Sequence, residues 1–256
     1  MARVHIGTSG WHYNHWRGPF YPEKLPAAKM LDLYASRFDT VELNNSFYKL
    51  PSVDSFENWR LATPSGFCFA VKASRFLTHN KKLKDPENAL QNFLPRAETL
   101  KNKLGPILFQ LPPRWSVNLD RLREFLQALP RRHSYAFEFR EPSWNTEAVY
   151  ATLRRYQAAC CIFELDYFLS PLEITADFAY VRLHGPGGRY QGCYSRSTLR
   201  QWAQRVAAWG QLRDIYIYFD NDQAGYAAQN ALELKRLIAS KHSGSDAGQK
   251  AKIGAA

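Results

Sequence analysis

The stretch YAFEFREPSW, residues 135–144, has two faces. Tyr135, Phe137 and Phe139 alternate with Ala136, Glu138 and Arg140, the two-residue period of a β-strand. One face is aromatic and needs a cover. The other begins with a small apolar side chain and ends in a carboxylate and a guanidinium. Such a strand fits the wall of a closed barrel, with helices outside and a functional mouth at the C-terminal end.

Seven further segments are short, aromatic or β-branched, and bounded by Gly, Pro or Asn. In order around this one they are RVHIGTS (3–9), DTVELNN (39–45), FCFAVKA (67–73), PILFQLP (106–112), ACCIFEL (159–165), FAYVRLH (178–184) and DIYIYFD (214–220). Between them, residues 27–37, 53–62, 87–103, 119–129, 146–157, 197–210 and 226–238 repeat apolar residues every three or four positions, as amphipathic helices do. Asn118, Asn145 and Ser195 are candidate helix caps, and Pro95 is expected to kink or split the helix of 87–103. Only SPLEITAD (170–177) separates the sixth and seventh strands. Eight strands alternating with about seven helices predict an α/β fold: a single (β/α)8 TIM barrel over residues 1–240. An open doubly wound sheet would usually show G-x-G-x-x-G after an early strand, and GTSG at 7–10 is a turn instead.

The chain has 256 residues and a formal net charge of +11, from 34 Lys+Arg against 23 Asp+Glu. That balance favours anionic partners, either small phosphorylated molecules or nucleic acid. Cys68, Cys160, Cys161 and Cys193 form no C-x-x-C pair, so a zinc or iron–sulfur framework is not expected, and reduced thiols suit a cytoplasmic protein. The opening MARVHIGTSGW has no apolar signal-peptide core, and no run approaches the length that spans a bilayer. Residues 241–256, small and polar, are read as a disordered tail.

With the apolar face of each strand assigned to the helices, the residues predicted to point inward are His5; Glu42 and Asn44; Cys68, Ala70 and Lys72; Leu108 and Gln110; Ala136, Glu138 and Arg140; Ile162 and Glu164; Tyr180, Arg182 and His184; and Tyr216, Tyr218 and Asp220. Charge collects where the strands end. Neighbouring strands pair Glu42 with Lys72, and Glu164 with Arg140 and Arg182. Buried charges need partners, and an ionic plug stabilises a barrel less than Leu and Val do, so the pattern points to a ligand site. In the loops at that end, Trp11 and Trp144 follow strands directly and are placed near the site. HGPGGRYQGCYSR (184–196) brings Gly187, Gly188, Arg189 and Tyr194 ahead of a helix, the ingredients of an anion cradle. Asn221 follows Asp220 at the end of the last strand.

These motifs together resemble the YecE-like family of unknown function: GTSGWHYNHWRGPFYPEKLP, FDTVELNNSFYKLP, GFCFAVKAS, KLGPILFQLPP, YAFEFREPSW, ADFAYVRLHGP with GRYQGCYS, and IYIYFDND. The resemblance runs in order over roughly residues 4–238. It implies a TIM barrel and supplies no reaction, cofactor or substrate. At the fold level it suggests analogy to sugar isomerases and barrel endonucleases. Three places depart from its pattern: Glu141 where His is expected, Asp220 in FDND, and the acidic FELD at 163–166.

The reading that follows is an enzyme acting on a small anionic, ring-bearing substrate, a sugar phosphate or nucleotide-like molecule, by isomerase-like acid/base chemistry. Glu138 is its general acid or base. Lys72, Arg140 and Arg182 stabilise negative charge, His184 shuttles a proton and Glu42 orients Lys72. Gln110 and Asn44 contribute substrate contacts. Glu42, Glu138, His184 and Asp220 are also ligand types for a divalent metal, but the cations compete for them, so no cofactor is predicted. The alternatives are a nucleic-acid-binding or phosphodiester-cleaving barrel and a non-catalytic ligand sensor. Nothing in the sequence sets the oligomeric state.

Overall fold

The computed structural model describes residues 2–253, and the side chains of residues 2–240. The expected tail at 241–256 lies outside the residues described with their side chains. The barrel strands are β1 (Arg3–Thr8), β2 (Thr40–Leu43), β3 (Cys68–Lys72), β4 (Leu104–Gln110), β5 (Tyr135–Glu138), β6 (Ala159–Leu165), β8 (Phe178–Leu183) and β9 (Asp214–Phe219). A two-residue β7 (Phe168–Leu169) folds back antiparallel on β6. The eight others are parallel, in the order β1-β9-β8-β6-β5-β4-β3-β2.

The ring closes between β1 and β2. A parallel bridge joins Ser9 to Glu42, with Gly10 N–H donating to the Glu42 carbonyl at 2.9 Å. Below it, the Tyr34 hydroxyl accepts from Thr8 N–H at 3.0 Å and donates to the Thr40 carbonyl at 3.0 Å. Gly7 makes this approach sterically feasible, because a Cβ there would lie 2.3 Å from the Thr40 oxygen. Gly7→Ala is therefore expected to cost about 2–3 kcal/mol through overpacking of backbone against backbone. A denaturant midpoint showing a loss below about 0.5 kcal/mol would mean that the seam relaxes freely.

The helices are α1 (Met30–Ala35), α2 (Asn45–Tyr48), α3 (Val53–Leu61), α4 (Pro86–Glu98), α5 (Leu119–Ala128), α6 (Glu147–Arg155), α7 (Arg196–Ala208) and α8 (Tyr226–Ile253). Asn118 and Ser195 cap α5 and α7 as expected, accepting from Arg121 N–H and Thr198 N–H. For α6 the cap is Thr146, one residue later than expected. Helix α4 continues through Pro95 and stops at Glu98, so the proline marks its last turn rather than splitting it. No helix separates β6 from β8. Thr175 runs along the outside there, accepting from Cys160 N–H at 2.7 Å and donating to the Ala158 carbonyl at 2.6 Å.

Two apolar layers result. Tyr135, Phe137 and Phe139 join the large core between strands and helices. Inside the barrel lie Ala70, Leu108, Ala136, Ala159, Cys161, Phe178, Tyr180, Tyr216 and Tyr218. Strand β6 is the correction: Cys161 faces the lumen, while Ile162 packs in the outer layer. In ACCIFEL both alternating sets are apolar, so periodicity could not choose between them. Glu164 consequently leaves the ring. It is half-buried on the helix side, where burial raises its carboxyl and Arg205 of α7 partly offsets that.

Candidate functional site

Arg182, from β8, is the hub of the barrel mouth and is 1 % exposed. Its Nε and Nη2 donate to Glu42 at 2.9 and 2.8 Å, Nη1 donates to Glu138 at 2.8 Å, and Nη2 also reaches Asp220 at 3.2 Å. Ser9 Oγ and the Tyr180 hydroxyl complete the shell of Glu42. Glu138 is fully buried, with Arg140 Nε on one oxygen and Arg182 on the other. Burial alone would raise its carboxyl. Arg140 and Arg182, helped by His184 and Lys72, outweigh that and hold it well below the ordinary range.

His184 is also fully buried, and both of its nitrogens are engaged. Nδ1 lies 3.0 Å from Asp220, while Nε2 lies 3.0 Å from Arg140 Nη2 and 3.3 Å from Arg182 Nη1. Guanidinium nitrogens can only donate, so Nε2 must accept and the proton sits on Nδ1, facing Asp220. Burial and the Arg182 charge lower the imidazole's pKa, consistent with that neutral tautomer. The geometry sets His184 as a brace between two arginines, with its proton directed at Asp220.

The expected pairs are therefore rearranged. Arg182, not Lys72, takes Glu42. The carboxylate between Arg140 and Arg182 is Glu138, not Glu164. Lys72 is left over: among the described residues its ammonium has no carboxylate within ion-pair distance and no hydrogen-bond acceptor. It lies 4.2 Å from the centre of the Phe47 ring and is 5 % exposed. Burial and then the Arg182 charge push it down to about 8, against the pull of Glu138, Glu42 and Asp220. Just after β2, Asn44 Oδ1 is buried with no hydrogen-bond partner among the described residues.

Beside this ring a cavity of about 400 Å³ opens over β4–β6. Gln110, Arg140, Asn145 and Tyr190 give it polar edges, the carboxylates Glu141 and Asp166 and the guanidinium of Arg189 also line it, and Phe163 and Phe168 form its apolar wall. Arg140 belongs to both ring and cavity. Its guanidinium lies 4.8 Å from the Phe163 ring centre, and among the described residues its Nη1 has no partner. Tyr190 stands edge-on to His184 at 5.5 Å. Phe163 and Phe168 were not foreseen, and Tyr190 stood out only as one of the aromatics in the loops at this end. Phe163 was hidden by the unresolved parity of β6, and Phe168 by the unforeseen hairpin.

Several expected contributors serve the wall instead. Trp144 is fully buried, stacked on Phe139 at 4.9 Å, with its indole N–H donating to the Trp115 carbonyl. Trp11 packs edge-on against Trp59. Tyr194 is buried, its hydroxyl accepting from Gly185 N–H. Asn221 fastens the same loop through the Gly192 carbonyl and Asn230. The expected anion cradle is not assembled. Gly187 N–H donates to the Gln191 carbonyl, Gln191 N–H returns to Gly188, and Arg189 pairs with Asp166. At Gly185 the loop passes so close that a Cβ would lie 2.1 Å from the Gln191 oxygen, with φ at +115°.

The sequence profile of a family described as a protein of unknown function, DUF72, matches residues 5–252. The chain belongs to the DUF72 family. A DUF72 protein from Thermotoga maritima MSB8, of solved structure, is 31 % identical, with a TM-score of 0.85 over 92 % of this chain and 99 % of that one. UPF0759 protein YunF of Bacillus subtilis (strain 168) is 26 % identical, over 94 % of this chain and 96 % of that protein. UPF0759 protein YecE of Escherichia coli (strain K12) is 29 % identical over 55 % of this chain and 50 % of its own length. A D-psicose 3-epimerase from Clostridium cellulolyticum H10, solved with D-tagatose, superposes with a TM-score of 0.55 at 11 % identity, over 94 % of this chain and 98 % of that one, a likeness of fold alone.

The departures from the expected DUF72 pattern have structural places. Glu141 accepts from Ser143 N–H at 3.1 Å and caps the turn that leads to Trp144. Asp220 accepts from Arg182 and faces His184 Nδ1, and Asp166 at the end of FELD pairs with Arg189. No described helix is long and apolar enough to cross a membrane.

Proposed function

We propose that this barrel is an enzyme that moves a proton on a small, anionic, ring-bearing substrate, in the manner of an isomerase. Lys72 carries the reading. Glu42, Glu138, Asp220, Arg182 and His184 are all held by one another, and Lys72 alone among the ionised groups of the ring has no partner among the described residues. An unpartnered amine titrating near 8 is matched to accepting a proton at neutral pH. Glu138, held far down by two guanidiniums, is a poor base, and its part becomes positioning Arg140. The free Nη1 of Arg140 suits a phosphate or carboxylate, and Phe163, Phe168 and Tyr190 suit the flat face of a ring.

A panel of sugar phosphates and nucleotide-like acids incubated with the protein in D2O tests this, with carbon-bound deuterium read by NMR. Exchange into at least one member is expected. Saturable binding across the panel without exchange or turnover would make the barrel a ligand sensor instead.

A further inference from the structure

We infer that Lys72 also forms an imine with a carbonyl carbon of the ligand whose anionic group sits at Arg140, which narrows the substrate class to anionic aldehydes and ketones. This rests on the proposed enzyme reading and goes beyond it, since proton transfer alone needs no covalent bond.

The surroundings of Nζ argue for it. A lysine that serves as a fixed counter-ion sits on a carboxylate, and the three carboxylates of this ring are already satisfied. Glu42 is held by Arg182, Ser9 and Tyr180. Glu138 is held by Arg140 and Arg182, and Asp220 by Arg182 and His184. Lys72 instead lies over an aromatic face, 4.2 Å from the Phe47 centroid. His79 stands edge-on to the same ring at 5.0 Å, and burial and the Lys72 charge lower its pKa to about 4. It is therefore a neutral neighbour near neutral pH. Burial against an aromatic ring, with the Arg182 charge outweighing part of the pull of Glu138, Glu42 and Asp220, is a setting in which a lysine amine becomes nucleophilic.

Reach is suitable as well. Lys72 ends β3 and Arg140 follows β5, with β4 alone between them. At about 4.8 Å per strand their backbones are roughly 10 Å apart, and both side chains belong to one mouth. A molecule with its anion at one end and its carbonyl a few bonds away spans that gap.

In the step itself, the Nζ lone pair of the neutral amine attacks the carbonyl carbon, and the C=O π pair moves to oxygen. The resulting carbinolamine loses that oxygen, together with the two amine hydrogens, as water, leaving C=N. Hydrolysis reverses the sequence, so no oxidant or reductant is consumed.

The probe is 4-carboxybenzaldehyde, which joins a ring, an anion and an aldehyde. The full chain is treated with it and cyanoborohydride near pH 7.5, and adducts are located by peptide mass mapping. Lys72 is expected to be labelled about tenfold or more faster than the exposed lysines, because more of it is neutral. Uncharged benzaldehyde should lose most of that preference, as should Arg140→Gln, with folding checked by circular dichroism. Labelling of wild-type protein that spreads over surface lysines without favouring Lys72 overturns the imine. If deuterium exchange proceeds while Lys72 stays unlabelled, the imine falls and the proton-transfer reading stands. If labelling and exchange both fail, both readings fall.

Discussion

Replacing Arg182 with leucine is expected to remove about 3–5 kcal/mol of folding stability, a large share of what a domain of this kind possesses. The guanidinium is 1 % exposed and holds Glu42, Glu138 and Asp220. Leucine fills part of the volume but leaves three carboxylates crowded at the top of a tyrosine-lined lumen, with Ser9, Tyr180 and His184 as neutral partners and Arg140 and the distant pull of Lys72 as the cations that answer them. The pH dependence gives the cause away. In the wild type, Glu138 and Asp220 have folded-state pKa values below their ordinary ones. Their stabilisation is fully present above the ordinary carboxylate range and is lost as pH falls through the depressed values. Without Arg182 each loses one of its two main supports, Arg140 remaining on Glu138 and His184 on Asp220, and burial draws both carboxyls upward. The variant should then lose less relative to wild type at pH 5 than at pH 7. Arg182→Leu combined with Glu42→Leu should recover part of the loss, because a buried pair removed together costs less than one partner stranded. Urea midpoints of the two variants at both pH values decide this. A single variant within about 1 kcal/mol of wild type would show that water reaches the ring and that the hub is dispensable.

How much of this could be read from the chain depended on whether the alternating faces of a strand differ in polarity. In YAFEFRE they differ sharply, and Ala136, Glu138 and the three aromatics lie where the period puts them. In FAYVRLH the same contrast located Tyr180, Arg182 and His184. In ACCIFEL the two faces are equally apolar, and the single acidic residue Glu164 pointed the wrong way. Partners were less legible than faces. Adjacent strands suggested Glu42 with Lys72, yet Arg182 reaches across from β8 because a long guanidinium with several donors can satisfy carboxylates from three strands at once. The loops were least legible. Gly187 and Gly188 have the composition of an anion cradle, but the loop spends its amides on itself. The hairpin of β6 and β7 turns at Asp166 and Tyr167, both at positive φ, where sequence would favour Asn-Gly, so Phe168 was not foreseen on the cavity wall.

Lys72→Met should abolish the proposed proton transfer, lowering kcat/KM by about a thousandfold, the usual worth of a general base. It should do so without weakening the fold. The folded-state pKa of Lys72 is depressed to about 8, so the buried ammonium opposes folding at neutral pH, and that cost is relieved only as pH rises from about 8 towards the unfolded value. Methionine removes the charge and keeps the reach, so the variant should unfold at the same urea concentration as wild type or a higher one. Lys72→Arg separates the two things a lysine can contribute. Arginine keeps the positive charge and cannot give up its proton at neutral pH. If Lys72 is the base, this variant is as inactive as Lys72→Met, and wild-type kcat/KM rises with pH to a plateau above about 8. If Lys72 only steadies an anion, Lys72→Arg retains most of the activity and the rise near 8 is missing. The comparison must be made on a substrate found by deuterium exchange, with pH profiles for wild type and both variants. A retained rate in Lys72→Arg would move the proton-carrying role away from β3 and leave Lys72 beside Arg140 as a second anchor for the anion.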